Sequence, residues 1–165
     1  MSQRLQGLPP VIGRDTRVLI LGSFPGAASL AARQYYAHPR NGFWPILGAL
    51  WGVDLPAMAY EDRLNELLRR GLGLWDVYAA CRREGSLDSA IEDAQLNPLD
   101  RLRHLAPSLR TIAHNGGESA RCMRITRALG LPVHRLPSTS PANASWSFER
   151  KRAAWGALLA GYGVA

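Results

Sequence analysis

Four short apolar runs, each followed at once by a glycine-, proline- or serine-rich stretch, restrict this chain to a small set of folds. The runs lie at residues 17–21 (RVLIL), 72–77 (LGLWDV), 110–113 (RTIA) and 132–136 (PVHRL). They are too continuous to be half-exposed strands, and read as strands buried on both faces. Helical periods separate them. Tyr60, Leu64, Leu67 and Leu68 fall on one face, with Gly71 as the C-terminal cap. Residues 118–129 form a second such stretch, closed by Gly130 and Pro132. In the third, Ser145 or Ser147 caps a helix whose apolar face holds Trp155, Leu158, Leu159 and Tyr162. This alternation predicts an α/β fold: a three-layer α/β/α sandwich around a central, mainly parallel sheet of about four strands. A single domain is expected over residues 16–165, with residues 1–15 a loosely ordered entry segment.

In a parallel sheet the segments after the strands emerge at one edge, and ligands of such folds bind there. After the first run comes Gly22-Ser-Phe-Pro-Gly26, where Gly22, Ser23, Phe24, Pro25 and Gly26 form a strand-to-helix turn. Its amides suit a phosphate or a polarised oxygen. It has neither the P-loop lysine nor GxGxxG, which disfavours a nucleotide cofactor. Asp76 stands near the end of the second strand, where an acid must be paired, hydrated or functional. Residues 78–85 are expected to be a loop. The third run leads into His114-Asn-Gly-Gly117, placing Asn115 at the same edge. The fourth leads into Pro137-Ser-Thr-Ser-Pro-Ala-Asn143, whose Ser138, Thr139, Ser140 and Asn143 are candidate DNA-phosphate ligands. A serine nucleophile with His114 or His134 as base is a minor alternative, since no GxSxG elbow surrounds Ser138 or Ser140.

The segment Gln34-Tyr-Tyr-Ala-His-Pro-Arg-Asn-Gly-Phe-Trp44 holds the densest chemistry. Aromatics interleaved with Arg and His are what recognition of an extruded base requires. Tyr36 and Phe43 are candidate contacts to such a base, although Tyr36, Phe43 and Trp44 also suit a core, and Trp44 is assigned there. Asn41 is either a turn-capping residue or a group that positions water. His38 either protonates a leaving group or makes a structural hydrogen bond.

Charge points to the partner. Lys and Arg number 20 against 13 Asp and Glu, a formal +7, and every cation but Lys151 is an arginine. Arginines scattered along a folded chain suit a polyanion, and Arg40 is expected nearest the DNA. Two cysteines, Cys81 and Cys122, are too few for a four-cysteine zinc or iron–sulfur site and read as packing residues. No run is long enough for a membrane helix, and the N-terminus lacks a secretory h-region. A cytoplasmic monomer with no cofactor and no metal is expected.

Together, these three loops resemble the uracil-DNA glycosylase superfamily, and most of all its hypoxanthine-DNA (deoxyinosine) glycosylase branch, near the mismatch-specific uracil glycosylases. The resemblance rests on Gly22-Ser-Phe-Pro-Gly26, Tyr35-Tyr-Ala-His-Pro-Arg-Asn-Gly-Phe-Trp44 and Leu136-Pro-Ser-Thr-Ser-Pro-Ala-Asn143. Mismatch-specific relatives carry asparagine where this chain has Phe24; in the hypoxanthine branch the asparagine of the His-Pro-Arg-Asn stretch takes over, which implies Asn41 here. The wedge loop lacks the bulky leucine of many relatives. The resemblance implies a monofunctional glycosylase that hydrolyses the N-glycosidic bond of a flipped deaminated base, hypoxanthine first, then uracil or xanthine. On that reading Tyr36 stacks on the base, the Ser23–Gly26 amides serve its oxygen, and Asp76 accepts a lactam N–H. Lys151, the only lysine, is expected away from the four loops, which removes the amine needed for Schiff-base chemistry. A domain that binds nucleic acid without catalysis is the alternative, prompted by Phe24.

Overall fold

A computed structural model describes residues 3–165. All four runs are strands of one parallel sheet. β2 (Val18–Gly22) pairs with β3 (Leu72–Asp76) on one side and β6 (Thr111–Asn115) on the other, and β7 (Val133–Leu136) pairs with β6, in the order β3-β2-β6-β7. β2, β3 and β6 are buried along their length because both faces are covered. Val18 and Ile20 face Trp44, Ile46, Leu67 and Trp155; Leu19 and Leu21 face Leu99, Leu102, Leu109 and Cys122. The first face belongs to α2 (Phe43–Trp51), α3 (Tyr60–Arg69) and α7 (Phe148–Gly161), and the second to α4 (Leu102–Leu105) and its flanking turns, with α5 (Gly117–Ala120) and α6 (Met123–Arg127) following β6. The expected three layers are present. No helix among the described residues is long and apolar enough to cross a membrane.

Local signals acted where they were expected. Gly71, with φ +85°, follows α3, and Ser147 caps α7 by accepting from the Arg150 amide at 3.2 Å. Three elements differ. The helix expected over 118–129 is split between α5 and α6 around Arg121 and Cys122. The expected loop 78–85 begins as a strand, β4 (Tyr78–Arg82), in a small antiparallel sheet between β1 (Arg4–Gln6) and β5 (Glu92–Leu96). β5 is exposed at every residue, so backbone hydrogen bonds hold it without an apolar face to announce it. β1 also ties down the entry segment, whose residues 1–2 lie outside the described residues. Val11 bridges Leu74, and the Tyr35 hydroxyl donates to the Pro9 carbonyl at 2.8 Å.

His114, in the middle of the sheet, has no solvent exposure. Ser119 Oγ donates to the Leu21 carbonyl at 2.6 Å, so it accepts from His114 Nδ1–H at 2.8 Å; Nε2 accepts from Thr126 Oγ1 at 2.8 Å. Burial pulls this imidazole down to about 4. The unfolded chain therefore binds the extra proton between about pH 6.5 and pH 4 while the folded chain does not, and stability falls as pH drops through that window. Urea unfolding should show about 2 kcal/mol less stability at pH 5 than at pH 7 from this group. Relative to wild type, His114→Gln should gain about 2 kcal/mol on going from pH 7 to pH 5, a difference that separates this group from others titrating in the same window; an equal pH dependence in the two proteins would refute the assignment.

Candidate active site

The strand register determines what meets at the carboxyl edge of the sheet. Gly22 pairs with Asp76 across β2–β3, and Asn115 with Leu136 across β6–β7. The strand order reverses between β2 and β6, where their following loops diverge and leave a crevice. A cleft of about 1200 Å³ opens there, walled by all four loop regions and by residues 35–41.

The aromatic segment enters through a strained residue. Tyr36 has φ +55°, a conformation a bulky side chain rarely takes. Two contacts hold it: its ring stacks on Phe43 at 4.2 Å and 26°, and its hydroxyl accepts from Asn115 Nδ2 at 3.2 Å. Tyr36 lines the cleft, whereas Phe43 is wholly buried behind it and also packs edge-on against Trp155. The expectation that Phe43 touches substrate is thus corrected: it is the backing of the platform. Trp44 is in the core, as expected.

Asn41 lies at the cleft wall, with its Oδ1 accepting from the Phe43 amide at 2.9 Å. The turn-capping reading is therefore realised. The oxygen keeps a second lone pair, and Nδ2 has no hydrogen-bond partner among the described residues. His38 is exposed at the mouth, and its Nδ1 accepts from the Arg40 amide at 3.0 Å, which puts the proton of the neutral ring on Nε2.

Asn115 has its amide committed internally. Nδ2 donates to Tyr36 and to Thr139 Oγ1 at 3.1 Å, while Oδ1 accepts from the Thr139 amide at 3.0 Å. It positions its neighbours, and the carbonyl of Thr139 in turn accepts from the Gly42 amide at 2.9 Å. Trp155 Nε1 holds the Pro137 carbonyl at 3.0 Å. Ser138 Oγ accepts from the Ser140 amide at 3.1 Å, and Asn143 Nδ2 donates to the Ser138 carbonyl at 3.2 Å. Ser138, Thr139, Ser140 and Asn143 all line the cleft. Lys151 is not remote from this loop: its Nζ lies 3.4 Å from the Ser140 carbonyl, and burial lowers its pKa. It does not line the cleft. The serine-hydrolase alternative loses His114, which is enclosed by Ser119 and Thr126, while the Nε2 of His134 meets the Tyr162 hydroxyl at 2.9 Å and no serine of the 138–140 loop.

Opposite stands a wall that sequence reasoning missed, residues 83–90. Arg83 is buried over the Phe24 ring and donates to the carbonyls of Pro25 and Gly85. Ser86 Oγ accepts from the Ala27 amide at 2.9 Å, and Ser23 Oγ donates to Asp88 Oδ1 at 2.6 Å. The turn Gly22–Gly26 is held in shape by this wall, and the first amide of α1 (Ala27–Ala32) is already taken. At the floor, Asp76 is 5% exposed. Its Oδ2 is buried without a hydrogen-bond partner among the described residues. Burial, with the charge of Asp88 nearby, pushes its pKa up to about 7, against a smaller pull from Arg83. At the mouth, Arg135 and Trp146 also line the cleft, and Arg150 lies 3.9 Å over the Trp146 ring. Arg40 and Arg135 have no ion pair among the described residues.

Three comparisons bear on this geometry. The sequence profile described as Uracil DNA glycosylase superfamily matches residues 9–159. A protein of Methanosarcina barkeri named hypoxanthine DNA glycosylase is 43% identical over 150 residues, which is 91% of this chain and 94% of the relative. One of the same name from Methanosarcina acetivorans is 40% identical over 146 residues, covering 88% of this chain and 92% of the relative. A solution NMR structure from Methanosarcina acetivorans, carrying a provisional uracil DNA glycosylase label, superposes with a TM-score of 0.88 at 38% identity. It covers 97% of this chain and 99% of that one.

The floor tolerates no side chain at residue 22. A Cβ there would lie 2.5 Å from Asp76 Oδ1 and 3.2 Å from the Tyr36 hydroxyl. Gly22→Ala should cost about 1–3 kcal/mol by overpacking. In an Asp76→Ala background the same change should cost at least about 1 kcal/mol less, because the clashing oxygen is gone. A double-mutant cycle by urea unfolding measures this, and additive costs would show that the two residues are not in contact.

Proposed function

The chain belongs to the uracil DNA glycosylase superfamily and is a DNA glycosylase, and from that premise we propose that it removes hypoxanthine from DNA by hydrolysing the N-glycosidic bond of a flipped deoxyinosine. Uracil and xanthine, which carry the same lactam group, are the further bases to assay. The observation that carries the reading is the cleft itself: an aromatic platform, a buried carboxyl and a capped amide on three walls of one pocket.

Extruding a base costs a few kcal/mol, least at a mismatch or lesion. Arg40, Arg135 and the loop 138–143 hold the backbone at the mouth. Tyr36, backed by Phe43, receives the ring. The sugar then passes through an oxocarbenium-like state while the base departs as an anion, so the enzyme supplies donors to the base and a positioned water to C1′. Asn41 orients that water with the free lone pair of Oδ1 and with Nδ2, the Phe43 amide fixing its plane. His38 offers its Nε2–H to a purine leaving group. The reaction is monofunctional: the only lysine, Lys151, does not line the cleft, and the strand is left intact at an abasic site. All groups of the cleft come from one chain, which acts as a monomer.

Asn41→Ala should lower single-turnover release of hypoxanthine from duplex DNA by about 10² to 10⁴-fold. It should also cost about 1 kcal/mol of stability through the lost cap. Asn41→Asp keeps the acceptor and should keep the stability. Full base release by a destabilised Asn41→Ala variant would leave Asn41 a capping residue only. Borohydride should trap no protein–DNA adduct during turnover; a trapped adduct would refute the monofunctional mechanism.

A further inference from the structure

Asp76 is a carboxyl at the floor of the cleft with no donor directed at its inner oxygen and no ion pair among the described residues. An ionised carboxylate so placed has lost its water and received nothing in exchange, which is costly. The groups around it do not compensate. From the segment before α2 come Tyr35 and Tyr36, both with raised pKa values to which the charge of Asp76 contributes. From the 83–90 wall come Asp88, a second acid, and Arg83, whose guanidinium hydrogen bonds go to main-chain carbonyls. His38 and Arg40 are exposed at the mouth. Asp88 is exposed and accepts from Ser23 Oγ at 2.6 Å, which opposes the rise that partial burial gives its pKa.

Resting on the reading above, we propose that Asp76 works as a neutral carboxylic acid, the oxygen on its cleft side carrying the proton and donating to the lactam oxygen of the flipped base while the enclosed Oδ2 is the uncharged carbonyl oxygen. Burial keeps that proton in place, and the charge of Asp88, to which Ser23 donates, adds a smaller push in the same direction. The arrangement goes beyond simple acceptance of an N–H by a carboxylate. A carboxyl O–H complements the lactam carbonyl, whereas a carboxylate would set a negative oxygen against it.

The difference is largest in the transition state. As the C1′–N bond breaks, its electron pair enters the base and spreads onto the lactam oxygen. A donor there gains strength with the developing charge, and a carboxylate would oppose it. Water supplies its hydroxyl to C1′ and its proton ends on the released base; Asp76 lends its proton as a hydrogen bond and keeps it. The raised pKa of about 7 agrees with a group neutral on the acid side of that value. Asp88 is a positioning residue in this scheme, acting through Asp76.

The test is the pH dependence of single-turnover hypoxanthine release between about pH 5.5 and pH 8. The wild-type rate should fall as pH rises through about 7, since the neutral form is the active one. Asp88→Asn should move that fall to lower pH. Asp76→Asn, which keeps a donor and an acceptor but cannot titrate, should be severalfold slower with the fall abolished. Asp76→Leu should be slower by at least about a hundredfold at every pH, with a melt confirming the fold. A wild-type rate that rises through pH 7, an Asp76→Asn variant with the wild-type slope, or an Asp76→Leu variant as fast as wild type would each overturn the proposal while leaving the glycosylase reading intact. No hypoxanthine release by the wild type at any pH would overturn both.

Discussion

The amide of Asn115 holds the site together. It sits at the end of a buried strand, 8% exposed, and reaches three groups far away in the chain: the Tyr36 hydroxyl and the hydroxyl and amide of Thr139. Thr139 then receives the Gly42 amide, so one chain of hydrogen bonds runs from the third loop through the fourth to the turn that carries Asn41. Each link is satisfied within the protein, which is what allows loops at a sheet edge to act as a rigid wall. The strained backbone of Tyr36 depends on it as well. A φ of +55° costs an aromatic residue about 1–3 kcal/mol, and the Asn115 bond and the Phe43 stack over-determine the conformation.

That arrangement explains why the cleft combines rigid and adaptable parts. The floor is made of strand ends, Gly22 and Asp76, whose spacing is set by the parallel register. The platform is one ring backed by another. The mouth is different: Arg40 and Trp146 stand on loops and Arg135 near the end of the edge strand β7, and the arginines have no carboxylate among the described residues to hold them. On the proposed reading, phosphates of an incoming duplex complete their coordination. Rigid groups then meet the base, where geometry decides chemistry, and unpaired cations meet a backbone that varies little with sequence.

How much of this was legible in the sequence follows from where each signal resides. The four parallel strands announced themselves because strands covered on both faces need uninterrupted apolar residues, as Val18 to Leu21 show. That Tyr36, Arg40 and Asn41 would line one cleft was legible because stacking and hydrogen-bonding groups crowd into one turn. Phe43 was misplaced because adjacent aromatics do not reveal which is in front; only the packing on Trp155 puts it behind Tyr36. Asn115 looked like a ligand-facing amide beside two glycines, and its partners lie 79 and 24 residues away. β5 left no trace because a strand exposed throughout needs no pattern. The 83–90 wall was hidden for the same reason: Arg83, Ser86 and Asp88 act through contacts with residues 23–27, which are remote in sequence.

A glycosylase must satisfy opposite electrostatic demands within one cleft. Outside, a polyanion has to be attracted, and a net charge of +7 carried by arginine does this. Inside, the base leaves as an anion, so a fully charged carboxylate at the floor would work against the reaction it is meant to assist. Replacing Asp76 by a neutral polar residue is one solution, but a carboxyl offers something an amide does not: its donor is an acidic O–H, which strengthens more steeply as the acceptor gains charge. Burial makes that donor available on the acid side of about pH 7, outweighing the pull of the Arg83 cation. Asp88 stands exposed at the cleft wall, so its field adds to the burial of Asp76 and does not replace it. The two acids thus differ by their surroundings: water and Ser23 reach Asp88, and neither water nor a donor reaches the inner oxygen of Asp76.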